Sequence, residues 1–166
     1  MKMRKKINLS NRIVLINKKF KKKEFYHYFK TPNLSLVIPI YKNKFIIVSQ
    51  KRIPINKINY EFPSGLIEKK ETLLQSAKKE LLEETGYKCI GKLHKLISCY
   101  TDPGRITTMI TGFYTNRLKK ISKPEKGINI HFVSKDKLLK LIKQKKFNTA
   151  AHIAMFLHFH LRRNNQ

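Results

Sequence analysis

Residues Gly65–Tyr87, GLIEKKETLLQSAKKELLEETGY, decide how this chain is to be read. Thr72 can cap a helix, and Gln75 three residues on completes a capping box, each satisfying an otherwise orphaned backbone N–H. Gly86 is placed to stop that helix, because it reaches the left-handed conformation of a helix end without steric cost. Between these marks Glu80, Glu83 and Glu84 stand at i, i+3 and i+4 and share one helix face. At ~100° per residue, Ala77, Leu81 and Leu74 lie about 60°, 100° and 120° from Glu80, so the acidic face borders the apolar stripe that packs on a sheet. Three adjacent carboxylates repel one another unless cations hold them. Hard divalent ions answer that need, and Mg²⁺ characteristically takes one or two carboxylates together with substrate phosphates. The plainer alternative is a solvated acidic face paired with Lys78 and Lys79.

The rest of the composition sharpens the contrast. The chain carries a net charge of +27 and only ten acidic residues, six of which fall between Glu61 and Glu84. A surface otherwise filled with cations keeps a dense carboxylate cluster in one short stretch, and the chemistry is to be sought there. The charge itself points less sharply. Seven of the 37 basic residues are arginine, at positions 4, 12, 52, 105, 117, 162 and 163, and the remaining thirty are lysine. Arginine performs most bidentate phosphate and base recognition, so the lysines read as a solvated surface with non-specific affinity for polyanions. A length of 166 residues suits one core. No apolar run approaches the roughly 18–20 residues of a membrane span, so no membrane partner is expected. Cys89 and Cys99 form no metal spacing, and the basic start from Met1 to Lys6 lacks the apolar stretch of a secretory signal. Both features suit a cytoplasmic protein with reduced thiols.

Working outward, Arg12–Ile16 suits a short strand. Leu34–Tyr41 and Phe45–Ser49 read as a hairpin closed through Lys42, Asn43 and Lys44, and Pro63 and Gly65 mark a loop. Leu93–Tyr100 and Thr107–Thr115 read as strands joined through Asp102-Pro103-Gly104, with another strand at Ile128–Val133. Ser134 caps a helix running to about Lys145, and Asn148 or Thr149 opens a last helix through about Arg162. Strands and helices interleave irregularly, which predicts a mixed sheet covered by helices.

Gly65, five residues, Glu71, seven residues, then Lys79-Glu80-Leu81-Leu82-Glu83-Glu84-Thr85-Gly86-Tyr87 resembles the Nudix box, G-x5-E-x7-R-E-U-x-E-E-x-G-U with U a bulky apolar residue. Every defined position matches except Lys79, where the family has arginine. The likeness continues outside the box. Gln50-Lys51-Arg52 resembles the Q-x-R of ADP-ribose pyrophosphatases, and Glu61-Phe62-Pro63-Ser64-Gly65-Leu66-Ile67 resembles their E-x-P-A-G-L-I. Pro103, sixteen residues past Tyr87, is similar to the proline that marks that subgroup. Asn11-Arg12 and the segment from Asn148 extend the resemblance over roughly residues 10–162. It implies an α/β (α+β) fold, a Nudix-type α/β/α sandwich with a mixed β-sheet. A β-rich N-terminal extension, residues 1–33, would precede the hydrolase domain at 34–166.

The resemblance further implies Mg²⁺-dependent cleavage of the diphosphate in a nucleoside diphosphate sugar, with ADP-ribose giving AMP and ribose 5-phosphate. GDP-mannose and other sugar nucleotides are alternative substrates, and Mn²⁺ an alternative ion. Glu80, Glu84 and the Ser64 carbonyl are the implied metal ligands, with Glu83 available to a further ion; Glu84, Glu83 and Glu125 form the implied catalytic set. Arg52, the Leu66 backbone and Asp102 match substrate-contacting positions. Glu71 is expected to anchor the loop to position 79. The loop base has two candidate positions: a gapless alignment from His131–Ser134 puts the family glutamate on Lys126, and a one-residue adjustment puts it on Glu125, the only acid between Asp102 and Asp136. His152, His158 and His160 have no i,i+4 partner and read as packing or surface residues. The aromatics at 20, 25, 26, 28 and 29 suit strand packing or the contacts of a homodimer, whose N-terminal strands in this subgroup help bind the partner's substrate. Two competing readings remain: a weakly active or non-catalytic polyanion-binding Nudix domain, and a Nudix enzyme acting on RNA ends.

Overall fold

The computed structural model describes residues 4–19 and 24–164, so Phe20 lies outside the described residues. The first three strands, Arg4–Asn8 (β1), Val14–Lys19 (β2) and Phe25–Lys30 (β3), pair antiparallel as a small sheet of their own. Backbone bonds tie it to the body: Phe29 N–H donates to the Arg105 carbonyl at 2.8 Å, and Thr107 N–H to the Phe29 carbonyl at 3.0 Å. Arg12 adds a 2.6 Å ion pair to Glu68.

Leu34–Tyr41 (β4) and Lys44–Arg52 (β5) form the expected hairpin. Lys42 and Asn43 in its turn have φ of 49° and 59°, and consecutive left-handed residues give the turn whose twist matches the flanking strands. Side chains alternate along these strands. Val37 and Ile46 therefore meet one apolar cluster, while Leu36, Ile38, Phe45 and Ile47 meet another.

After β5 come Lys57–Glu61 (β6), Ser64–Leu66 (β7), the helix Leu73–Thr85 (α1), Tyr87–Cys89 (β8), His94–Tyr100 (β9), Met109–Thr115 (β10), Leu118–Lys120 (β11) and Asn129–Val133 (β12). The chain ends in Lys135–Lys143 (α2) and Ala150–Asn164 (α3). The main sheet runs β12-β5-β4-β10-β9, with β6 on β5 and β7 on β4. It is mixed as expected, because β10 runs parallel to β4 while β9 and β5 are antiparallel to their neighbours. α1 covers the Val37 face through Ala77 and Leu81. Phe147, Met155, Phe156 and Phe159, from α3 and the turn before it, cover the other face around Phe62. Each fully buried phenylalanine contributes roughly 1.5–3 kcal/mol of transfer free energy, and this face carries most of them.

Several boundaries differ from the sequence reading. β2 begins at Val14 rather than Arg12, because Ser10 accepts the Arg12 and Ile13 N–H groups in the preceding turn. α2, capped by Ser134 as expected, ends at Lys143, and Lys145 has φ of 57°, a conformation through which a helix cannot continue. β1 and the short strands β7, β8 and β11 carry too few residues for a periodic signal. Among the described residues no helix is long and apolar enough to cross a membrane.

Candidate active site

α1 is fixed at both ends, and this sets the phase of its glutamates. Thr72 Oγ1 accepts Gln75 N–H at 3.2 Å while Gln75 Oε1 accepts Thr72 N–H at 2.8 Å, the reciprocal capping box. At the other end Gly86, φ 70°, donates to the Leu82 carbonyl at 2.6 Å. The helix therefore turns Ala77 and Leu81 fully inward, with Glu84 also buried and Glu80 and Glu83 half-buried beside them.

The loop after β6 supplies the opposite wall. Ser64 N–H donates to Glu84 Oε2 at 3.0 Å, and Gln50 Nε2 donates to Glu84 Oε1 at 3.3 Å. A Cβ at Gly65 would overlap the Glu80 carboxylate, so glycine is what lets the backbone pass this close to the acid face. Burial pushes the Glu80 carboxyl up to about 7, with Lys79 opposing and Glu83, Glu71 and Glu125 adding repulsion. Burial likewise pushes Glu84 up to about 7, against the hydrogen bonds from Ser64 and Gln50. Two carboxylates driven together in a half-buried wall, one turn apart, form a site that gains most from a cation of high charge density. Among the described residues no group of three or more His, Cys, Asp or Glu side chains is placed to hold a metal ion by itself. That donor set fits Mg²⁺ or Mn²⁺, which complete their shells with water and substrate phosphate, and does not fit a structural zinc site, which is closed by four protein ligands.

The remaining residues singled out in the sequence distribute as follows. Glu125 stands in the segment before β12, its N–H bonded to the Glu83 carbonyl at 2.9 Å, and its charge reaches Glu80. Lys126, the other candidate position, is exposed, and so is Glu125. Glu71 lies 3.6 Å from Lys79 Nζ and accepts Glu68 N–H at 2.9 Å, so it joins loop and helix. Leu66 pairs with Leu34 on β7. Asp102 is exposed and closes its own turn: its side chain accepts Gly104 N–H at 3.2 Å and its carbonyl accepts Arg105 and Ile106. That turn lies against β3 through a Tyr26 hydroxyl bond to the Gly104 carbonyl.

Arg52 is engaged from within the protein. Its Nε donates to Glu61 Oε1 at 3.0 Å and its Nη2 to Glu61 Oε2. Burial alone would raise Glu61, but the bonds from Arg52 and Asn59 outweigh it and hold the carboxyl below the usual range. Asn59 Nδ2 bridges Glu61 Oε1 and Thr149 Oγ1, both at 2.8 Å. Phe62 N–H donates to His152 Nδ1 at 3.1 Å, and burial pushes that imidazole down to about 4, so it is neutral with its proton on Nε2. His152 is thus a packing residue that also orders the strand leading into Ser64 and Gly65. The supporting roles of Gln50, Asn59, Glu61 and His152 carried no periodic signal. The clues were the motif resemblance of Gln50-Lys51-Arg52 and Glu61–Ile67 and the presence of an acid at position 61 in so basic a chain; Asn59 and His152 gave none.

The NUDIX domain family model matches residues 31–153. Methanol dehydrogenase activator of Bacillus methanolicus is 33% identical over 110 residues, 63% of this chain and 59% of that protein. Putative nudix hydrolase 2 of Caenorhabditis elegans is 44% identical over 59 residues, 36% of this chain and 26% of that protein. ADP-ribose pyrophosphatase of Bacillus subtilis is 30% identical over 109 residues, 63% of this chain and 58% of that protein. The matched stretches thus span between a quarter and three-fifths of these relatives. The crystal structure of an ADP compounds hydrolase superposes with a TM-score of 0.82 at 16% identity, covering 99% of this chain and 93% of that one; at that identity the likeness is one of fold. A family match across most of the chain, on a box helix whose capping and carboxylate phase are in place, means that this protein belongs to the Nudix family.

Proposed function

We propose that this chain is a divalent-cation-dependent hydrolase of the diphosphate linkage in nucleoside diphosphate sugars, with ADP-ribose the first substrate to test and AMP and ribose 5-phosphate its products. The observation that carries the reading is the pair Glu80 and Glu84, pressed together behind Gly65 with both carboxyls pushed up to about 7. Glu80, Glu84 and the Ser64 carbonyl would hold Mg²⁺, or Mn²⁺ in its place, with Glu83 available to a further ion. When bound, the ion supplies charge neutralisation of the diphosphate and activation of water. Glu125 takes the proton of the attacking water; Glu83 fixes the segment that carries it through its carbonyl. Arg52 presents the edge of its guanidinium not used by Glu61 to the substrate phosphates. The Leu66 backbone and Asp102 contact the remainder of the substrate. GDP-mannose and other sugar nucleotides are the alternative substrates within the same chemistry.

Residues 1–33 are the dimer-forming part of this enzyme, beside the hydrolase domain at 34–166. Phe25, Tyr26 and Phe29 on β3 are exposed, and a homodimer would cover such aromatics. The lysine surface adds non-specific affinity for polyanions. The deciding experiment is one panel of ADP-ribose, GDP-mannose, ADP-glucose and a capped RNA, each with Mg²⁺ and with Mn²⁺. AMP from ADP-ribose supports the proposal. No turnover of any substrate, with RNA binding that survives ~0.2 M salt, overturns it in favour of a binding domain, because purely electrostatic contacts weaken steeply there.

A further inference from the structure

Between β11 and β12 the chain is exposed but strapped along the C-terminal end of α1. β11 pairs antiparallel with β8, Lys120 opposite Tyr87. From there Ile121 and Ser122 N–H both donate to the Gly86 carbonyl, at 3.0 and 3.2 Å, and Glu125 N–H donates to the Glu83 carbonyl at 2.9 Å. Lys120 holds the root of this strap. Its Nζ donates to the Thr85 carbonyl at 2.8 Å and sits 4.8 Å from the centroid of the Tyr87 ring. A cation at a helix C-terminus satisfies an orphan carbonyl and complements the helix dipole, and the aromatic face adds a cation–π contact. The approach is close: a Cβ on Gly86 would overlap the Ser122 carbonyl and crowd Lys120 Nζ. The glycine that ends the helix is therefore also the seat of the strap.

We propose that Lys120 is a positioning residue for this enzyme, locking the strap on α1 so that Glu125 is held against the helix at Glu83. Lys120 touches neither substrate nor metal ligand; it acts through Glu125, and the proposal rests on the assignment of Glu125 as the water-activating group. The three strap amides give a readout that does not require turnover.

The test compares wild type with Lys120→Met, which keeps a stem of similar length over Tyr87, and with Lys120→Arg, which keeps the cation. In hydrogen exchange, Lys120→Met should lose protection at Ile121, Ser122 and Glu125 while the α1 interior amides keep theirs, and Lys120→Arg should restore it. With ADP-ribose and Mg²⁺, Lys120→Met should lower kcat about ten- to a hundredfold with KM unchanged, the scale of a misplaced catalytic group. In a Glu125→Gln background the same change should alter kcat less than twofold. Unchanged strap protection in Lys120→Met overturns the proposal. So does an equal loss of kcat in both backgrounds, which would make Lys120 a support for α1 alone. If wild type turns over no sugar nucleotide, the functional reading fails, and the exchange data still decide whether Lys120 holds the strap.

Discussion

Removing the Glu84 charge should stabilise the metal-free protein while abolishing its activity. Glu84 is buried, and its carboxyl titrates near 7 in the fold against an ordinary value of 4.5. A carboxyl whose folded pKa is raised binds its proton more tightly folded than unfolded. Its contribution to stability is therefore most favourable below about pH 4.5, falls as pH rises through that interval, and is flat above about 7. At ~1.4 kcal/mol per pH unit, the ionised form costs the metal-free fold about 3 kcal/mol at pH 8. Glu84→Gln removes that cost and keeps an oxygen for the Ser64 N–H, but loses the charge-assisted part of the bond, so a net gain of about 1–2 kcal/mol is expected. For a chain of this length that is about 2–8 °C in Tm. Thermal denaturation in EDTA at pH 8 and pH 5 checks it: the Glu84→Gln protein melts higher than wild type at pH 8, and most of the difference vanishes at pH 5. Mg²⁺ should reverse the order at pH 8, because an ion at a hundred times its Kd stabilises wild type by about 2.7 kcal/mol and the mutant little. Turnover should fall at least about a hundredfold. A mutant that melts no higher than wild type at pH 8 without metal would refute the electrostatic account of the helix, and full activity would remove Glu84 from the mechanism.

Gly65→Ala should displace the Glu80 carboxylate that its Cβ would overlap, weakening Mn²⁺ binding in calorimetry by more than tenfold while Tm falls modestly. Lys79→Arg should raise activity or Tm slightly, because the planar fork can replace a single 3.6 Å contact to Glu71 with a bidentate one; if both fall, position 79 is adapted to lysine. Glu125→Gln should lower kcat by ~10²–10⁴-fold with KM little changed, and Lys126→Ala should matter far less. A silent Glu125→Gln with a faster Lys126→Glu would put the base at position 126 and mean a naturally weakened site.

The box helix was legible because every feature that builds it is local. Thr72, Gln75 and Gly86 lie within fifteen residues and fix its ends, and the 3.6-residue period then fixes which carboxylates share a face. The hairpin of β4 and β5 was legible for the same reason. What escaped is long-range. Arg52 and Glu61 meet only because β6 folds back on β5 in one particular register, and His152 reaches Phe62 across ninety residues. No single-sequence period encodes either contact. The choice between Glu125 and Lys126 is not legible in the sequence for a related reason: the strap is held by backbone bonds to Gly86 and Glu83, to which any residue but proline can contribute, so side-chain identities do not count its length.

The scarcity of acid is itself a physical constraint on how this site can work. Of the six carboxylates between residues 61 and 84, Glu61 is bonded by Arg52, Glu68 by Arg12 and Glu71 by Lys79. Three are thus engaged in holding the walls; Glu80 lies 3.9 Å from the same Lys79 and Glu84 takes bonds from Ser64 and Gln50, so under the proposed function Glu80, Glu83 and Glu84 are the carboxylates left to face an ion. Two of the seven arginines are committed in the same way, on the strand and turn that flank the loop, where a planar fork fixes a carboxylate better than an ammonium does. The thirty lysines contribute a positive field that would draw an anionic substrate to the protein and that ~0.15 M salt screens within about 8 Å. Association with a sugar nucleotide should therefore weaken with salt through the on-rate, while kcat, which under the proposed function depends on the helix glutamates and the strapped loop, should hardly move. A kcat that falls with ionic strength as steeply as kcat/KM would mean that the lysine surface takes part in the chemical step, and that the division between walls and field drawn from these residues is wrong.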